Sequence, residues 1–159
     1  MTKKHFIGVL IAFLCSLTTS WAQNEQDFAS RYMMLYGRGT SMECTTISPL
    51  MLERMMQLPD VEGNNQTRAI LSQLKSIRMA HNVKQSETTA LYNKALKLAH
   101  RNSARYKVYA ERANKRLYVR RRGKYIVEMV LLQKANHQFQ LINLTGNMTE
   151  DFLNQLLKA

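Results

Sequence analysis

The stretch that decides the fold is RLYVRRRGKYIVEMVLLQKANHQFQLINLT, residues 116–145. From residue 106 onward the sequence pattern changes from a helical period to a period of two, which is typical of strands. It predicts four strands, over residues 106–112, 116–122, 125–133 and 138–145. The links between them are short and contain Asn114, Gly123 and Asn136. Because consecutive strands with such short links must be antiparallel, this half of the chain predicts an antiparallel meander.

Upstream of the meander, the composition predicts two further strands and several helices. The strands are expected over residues 41–47 and 76–82, and residues 60–66 are expected to form a loop. Ser48 and Pro49 predict the start of a methionine-containing helix that Pro59 ends. Helices are also predicted within residues 28–36, over residues 67–74, from a Ser86 cap to about residue 102, and after a Thr149 cap.

This element order predicts the α+β class. We expect a single, largely antiparallel sheet of about five to six strands, four of them consecutive in the C-terminal half. The helices are expected to pack on one face of that sheet. No repeat, low-complexity run or Pro/Gly-rich linker interrupts residues 23–159, so they are predicted to form one domain.

Residues 1–22, MTKKHFIGVLIAFLCSLTTSWA, have the three parts of a secretory signal peptide. Lys3 and Lys4 precede an apolar run over residues 6–17, and Ser20 and Ala22 are the small residues of a cleavage site. The apolar run is shorter than the roughly 20 residues that span a membrane. We therefore expect cleavage after Ala22, an exported protein that is periplasmic or secreted, and no transmembrane span after cleavage.

The whole chain of 159 residues has a formal charge of +12 and is 45% apolar, which excludes the disordered classes. Basic residues concentrate between residues 101 and 124, where ten lysines and arginines stand against Glu111 alone. Clustered charge of one sign creates a field that attracts polyanions. A solvated sheet surface with no ligand is the alternative interpretation of the same cluster.

The predicted ligand-binding residues lie in the second and third strands of the meander. Strand alternation places Arg120 and Arg122 on the face opposite Arg121, with Tyr118 on the side of Arg120. The predicted partners are an anionic glycan, a lipid headgroup or another envelope protein, because export argues against cytoplasmic nucleic acid. The predicted binding set is Arg116, Tyr118, Arg120, Arg121, Arg122, Lys124 and Tyr125.

No catalytic residue, metal ligand or cofactor site is predicted. Cys44 lies in no recognisable hydrolase context and is expected to be a small packing residue of its strand. His81, His100 and His137 are 19 and 37 residues apart, which does not match the short ligand spacings of zinc sites. A non-catalytic binding domain is therefore the leading hypothesis.

Two alternative functions remain open at this point. One is an exported hydrolase or redox enzyme that uses Cys44. The other is a module for protein partners in envelope signalling or assembly, which would expose Met51, Met55 and Met56 on the predicted methionine-containing helix. We expect these three side chains to be buried instead.

Three stretches carry a resemblance to a known family. They are CTTISPLMLERMMQLPD (44–60), LSQLKSIRMAHN (71–82), and RLYVRRRGKYIVEMVLLQ with FQLINLTGNMTEDFLNQL (116–133 and 139–156). Together they resemble the Bacteroidota family known as domain of unknown function 4252, small exported proteins with this element order. The resemblance implies the fold and export, and it carries over no catalytic residue.

Overall fold

The computed structural model describes residues 26–158, and the predicted signal peptide lies outside them. Six α-helices, six strands and one short 3₁₀ helix, Gln85–Glu87, form the described part of the chain. The helices are α1 Phe28–Tyr36, α2 Pro49–Met56, α3 Pro59–Glu62, α4 Asn65–Leu71, α5 Thr88–Arg101 and α6 Glu150–Lys158. The strands are β1 Met42–Ile47, β2 Leu74–Asn82, β3 Lys107–Arg112, β4 Lys115–Arg122, β5 Tyr125–Ala135 and β6 Gln138–Met148.

The six strands form one sheet in the order β1-β2-β6-β5-β4-β3, and every neighbouring pair is antiparallel. The predicted meander is β3 to β6, and its last strand pairs with β2. Helix α5 takes the chain from β2 to β3 at the far edge. The predicted α+β class and single antiparallel sheet are confirmed.

Helices pack on both faces of the sheet, which corrects the expectation that they cover one face. Strand alternation separates two clusters of buried side chains, because Tyr118 belongs to one cluster and Leu117 to the other. On the first face, here called the α1/α5 face, Phe28 and Tyr32 of α1 and Leu91 of α5 are buried. On the opposite face, α6 buries Phe152 and Leu153, and Ile70 of α4 packs beside them.

Two local predictions were wrong. Residues 60–66 do not form a continuous loop, because Pro59 begins the short helix α3, where its missing N–H removes no hydrogen bond. Ser86 does not cap the long helix, since it lies in the 3₁₀ helix and α5 begins two residues later. Glu87 instead accepts hydrogen bonds from the backbone N and Oγ of Ser41, both at 2.8 Å.

Gly146, which follows Thr145 near the end of β6, is required for a steric reason. A Cβ atom on Gly146 would collide with the backbone carbonyl of Gln73, so only glycine fits there. The same carbonyl accepts from the N–H of Asn147 at 2.9 Å. Thr149 then caps α6 as predicted, because its Oγ1 accepts from the N–H of Phe152 at 3.2 Å.

A candidate anion-binding cleft

A buried carboxylate joins α1 to the middle of the sheet. Glu128 of β5 is 0% exposed, and its Oε1 accepts from the N–H of Phe28 at 2.6 Å. The Nδ2 of Asn143 donates to Oε1 at 3.1 Å, and the Tyr106 hydroxyl lies 3.2 Å from both carboxylate oxygens. Burial, and then the nearby Glu128 carboxylate, raise the pKa of Tyr106, so its hydroxyl stays a donor. Glu128 therefore accepts hydrogen bonds from a backbone N–H, an amide and a hydroxyl, in addition to its contact with an arginine.

The first turn of α1 is capped from several parts of the chain. Asp27 accepts from the N–H of Ser30 at 2.8 Å, and the Oδ1 of Asn143 accepts from the N–H of Ala29 at 2.9 Å. Helix N-termini leave their first N–H groups without partners inside the helix. Here those N–H groups donate to acceptors on the sheet as well as to the N-cap, so α1 has a fixed position over β5 and β6.

The same acceptors hold two arginines in place. Arg120 Nε donates to Oε2 of Glu128 at 2.9 Å, and the Arg120 side chain is 15% exposed. Arg78 Nε donates to Oδ2 of Asp27 at 3.0 Å, and its Nη1 donates to Oγ1 of Thr46 at 2.9 Å. Arg78 is held at Nε and Nη1 and Arg120 at Nε, and a guanidinium group that is already held loses less freedom when it binds an anion. The network therefore pre-positions Arg78 and Arg120.

Both arginines line one open cleft of about 1540 Å³ on the α1/α5 face, beside the N-terminal half of α1. Its base consists of strand residues from β2, β4, β5 and β6, including the hydroxyl pair Ser76–Thr145 at 2.7 Å. One wall is α1 and the other is α2 with the bend that leads into β2. The cleft therefore combines segments that are far apart in the sequence.

Basic residues outnumber acidic residues in the lining of the cleft, although Asp27 and the buried Glu128 already pair with Arg78 and Arg120. Two acidic residues, Asp27 and Glu53, are among the described residues that line it. Six basic residues line it: Arg31, Lys75, Arg78, Arg105, Arg120 and Arg122. A concave surface with an excess of one sign concentrates the field and attracts ligands of the opposite sign. The chemistry of this lining favours carboxylate, phosphate or sulfate groups.

The structure separates the predicted binding residues. Arg120 and Arg122 line the cleft, as strand alternation predicts for a shared face. Arg121 lies on the opposite face, where its Nη1 pairs with Glu150 of α6. Tyr118, which was also in the predicted binding set, is buried at 6% exposure and does not line the cleft.

The other three predicted residues lie outside the cleft lining. Arg116 pairs with Glu111 of the neighbouring strand β3. Lys124 and Tyr125 are exposed at the β4–β5 turn, where the Lys124 ammonium lies 5.3 Å from the centre of the Tyr125 ring. The basic hairpin is therefore not one continuous patch.

Four basic lining residues were missed by the sequence analysis, namely Arg31, Lys75, Arg78 and Arg105. Arg31, Lys75 and Arg78 lie outside the meander, and Arg105 lies just before its first strand. For Arg78, the sequence did indicate its face of the strand, because alternation within residues 76–82 places it on the same face as Ala80 and Asn82. No pattern in the sequence showed that β2 would pair with β6 and so bring Arg78 to the side of the sheet that carries Arg120.

Cys44 is exposed, which corrects the expectation of a packing residue. It lies on β1, an edge strand, so one side of its backbone has no neighbouring strand. Desolvation raises the pKa of its thiol, although Arg78 and a hydrogen bond with Thr46 act in the other direction. Cys44 pairs in register with Ala80, so His81 lies on the other face, where it contacts Glu43 at 3.7 Å. This arrangement places no histidine of β2 beside the thiol.

The methionines of α2 are not all buried, contrary to expectation. Met51 is 48% exposed, while Met55 and Met56 are half-buried. Leu52 is the one fully buried side chain of α2, because the short helix turns a single narrow side toward the sheet. Along residues 26–158 no cluster of three histidine, cysteine or acidic side chains has metal-binding geometry. Within the same described range, no helix is long and apolar enough to cross a membrane.

The comparisons with known proteins identify a family and no individual relative. No curated protein matches the chain, and no solved structure matches it. The family model described as "Domain of unknown function (DUF4252)" matches residues 36–156, which is most of the chain and extends from the end of α1 into α6. The chain therefore belongs to the DUF4252 family.

Proposed function

We propose that this protein is an exported, non-catalytic binding domain that takes an anionic ligand in the cleft between α1, α2 and the sheet. The observation that carries the proposal is the convergence of Arg78 and Arg120 on the cleft, each held by a carboxylate behind it. Arg122 and Lys75 are exposed and line the same cleft. The cleft therefore offers a ligand two arginines that carboxylates hold in place and two further basic side chains that are exposed.

Export is supported by the three-part leader of residues 1–22, and a Bacteroidota source is part of the same proposal. The absence of a catalytic role is supported by the raised pKa of the Cys44 thiol and by the position of His81 on the other face. A thiolate nucleophile needs a lowered pKa or an adjacent base. Thiol labelling of the native protein tests the Cys44 alternative, which requires rapid reaction near neutral pH.

The proposal is tested with inorganic sulfate and a heparin oligosaccharide as probes, titrated over a range of ionic strength. We expect saturable binding that weakens with salt, because partly exposed charges are screened. Lys75→Ala with Arg122→Ala should weaken binding roughly tenfold, since two exposed cations contribute about 1 kcal/mol or slightly more together.

The matched control removes two cations elsewhere. Lys97→Ala with Arg112→Ala changes the net charge equally, and both residues are exposed and lie outside the cleft lining. The control should bind like the parent protein. Equal weakening by both variants would show that the net charge alone attracts the probes, and no binding at low salt would overturn the proposal.

A further inference from the structure

The walls of the cleft differ in chemistry. The strands at its base contribute arginines, a lysine and hydroxyl groups, including Arg78, Arg120 and the pair Ser76–Thr145. The two helical walls contribute most of the large apolar groups, and these face the same space. They are Met34 of α1 and Pro49, Leu52 and Met56 of α2. The cleft is therefore amphipathic as well as cationic.

Two of these apolar side chains, Met34 and Met56, are accessible to solvent. Met34 is 63% exposed although it lies on the wall of a cleft, and Met56 is half-buried. Methionine is flexible and polarisable, so it adapts to apolar ligands of irregular shape. Apolar side chains that line a concavity and remain accessible to water gain free energy when a ligand covers them.

The cleft is large enough to hold more than a small inorganic ion. A volume of about 1540 Å³ exceeds the roughly 300–1,000 Å³ of ordinary small-molecule pockets. An isolated sulfate or phosphate would contact the cations at the base and leave Met34 and Met56 exposed to water. A ligand that matches the whole cleft needs an anionic group and an apolar part of comparable extent.

We infer that the ligand is an anionic amphiphile: one molecule whose phosphate, sulfate or carboxylate head contacts Arg78, Arg120 and Arg122. Its hydrocarbon chain lies between the two helical walls, against Met34 of α1 and Met56 of α2. This inference rests on the proposed function and adds the apolar half of the ligand to it. The shared chemistry covers lipid-derived molecules and free alkyl anions alike.

The test is a titration with hexyl, octyl and decyl sulfate, each below its micellar concentration, against inorganic sulfate. We expect binding of one molecule per chain, with affinity that rises about two- to fourfold per methylene group, since a fully buried methylene contributes about 0.8 kcal/mol. Alkyl glucosides and alkyl trimethylammonium salts of the same lengths should bind at least tenfold more weakly. Vesicles that contain anionic lipid distinguish a lipid source, because that source predicts extraction of lipid into the soluble fraction.

Two pairs of variants separate the two halves of the ligand. Met34→Ser with Met56→Ser should remove most of the chain-length dependence and leave the affinity for inorganic sulfate unchanged. Met51→Ser is the matched control, because Met51 is exposed on α2 but does not line the cleft. Lys75→Ala with Arg122→Ala should weaken every alkyl sulfate by the same factor.

The outcomes distinguish this inference from the proposed function. If every alkyl sulfate binds with the same affinity as inorganic sulfate, the inference of an amphiphilic ligand is wrong and the proposed anion site stands. Glucosides that bind as tightly as the sulfates would overturn both, since the cations would then contribute nothing. Chain-length dependence that survives the double serine variant would show that the chain lies elsewhere.

Discussion

Arg120 and Arg121 are neighbours in the sequence, and each pairs with a glutamate, yet the two pairs lie in different environments. The side chains of Arg120 and Glu128 are 15% and 0% exposed, whereas those of Arg121 and Glu150 are 41% and 46% exposed. Removal of one partner from a buried pair leaves an uncompensated charge, while an exposed pair exchanges its partner for water. A run of basic residues is therefore not a single energetic or functional unit.

The division follows from strand geometry. Side chains of consecutive residues in a strand point to opposite faces, so Arg120 reaches the α1/α5 face and Arg121 reaches α6. The register between β4 and β5 shifts between these two residues, so that Arg120 pairs with Glu128 and Arg121 with Ile126. Val127, which lies between the two partners on β5, lines the cleft. The register shift thus lies between the buried Arg120–Glu128 pair and the exposed Arg121–Glu150 pair.

Glu128→Ala is the strongest test of the buried side of this comparison. It removes the acceptor of Arg120 Nε, the Phe28 N–H and the Tyr106 hydroxyl, all in the interior. We expect the free energy of unfolding to fall by about 3–5 kcal/mol, as for other broken buried pairs. Urea denaturation measures it. Glu128→Gln, which keeps the shape and some acceptors, should lose less, and a loss below about 1 kcal/mol for the alanine variant would contradict the comparison.

Asn143→Ala should have the next largest effect. The Asn143 side chain accepts from the Ala29 N–H and donates to Glu128, so its removal leaves a helix N–H buried without its acceptor. We expect a loss of about 1–3 kcal/mol in the free energy of unfolding. Hydrogen exchange of the α1 amides provides the specific readout, because only a local role predicts faster exchange there than in β5.

Tyr106→Phe removes a single hydroxyl from the same network. The ring still packs edge-on against Phe28 at 5.4 Å between centroids, and Glu128 keeps its other donors. The expected loss is about 0.5–1.5 kcal/mol, measured by the same denaturation experiment. A loss as large as that of the Glu128 variant would mean that the hydroxyl, rather than the arginine, makes the dominant interaction with the carboxylate.

Arg121→Ala should have the smallest effect, below about 1 kcal/mol, and less at high salt. The hydrogen bond from Arg121 lowers the pKa of Glu150, so the pair contributes above the unfolded-state pKa of the glutamate. That contribution is lost as the pH falls through the lower folded-state pKa. Parent and variant should therefore differ slightly near neutral pH and converge in acid. A difference that grows in acid would contradict the assigned direction.

The sequence predicts the part of this architecture that depends on short-range pattern. Alternation and turn residues predict the meander and the opposite orientations of Arg120 and Arg121, and both are found. The cleft was not predictable in the same way, because it needs β2 beside β6 and α1 over β5. Glu128 interrupts an apolar strand in the sequence, and its partners Phe28, Tyr106, Arg120 and Asn143 come from four separate segments.

Errors in the sequence analysis have the same origin. The exposure of Cys44 follows from the position of β1 at the sheet edge, which depends on long-range pairing. The partial exposure of the α2 methionines follows from the single narrow side, centred on Leu52, that this short helix turns toward the sheet. Composition alone indicates which residues favour burial. It does not indicate which of them will be covered by neighbouring helices and strands in the folded protein.

The acceptors on the sheet that cap the first turn of α1 also constrain the order of folding. The N–H groups of Phe28 and Ala29 bind side chains that lie 100 and 114 residues further along the chain. Both acceptors follow α1 by more than half of the chain, so the caps that they provide form only once β5 and β6 are in place. A chain that ends before residue 143 is expected to leave the Ala29 N–H without this acceptor.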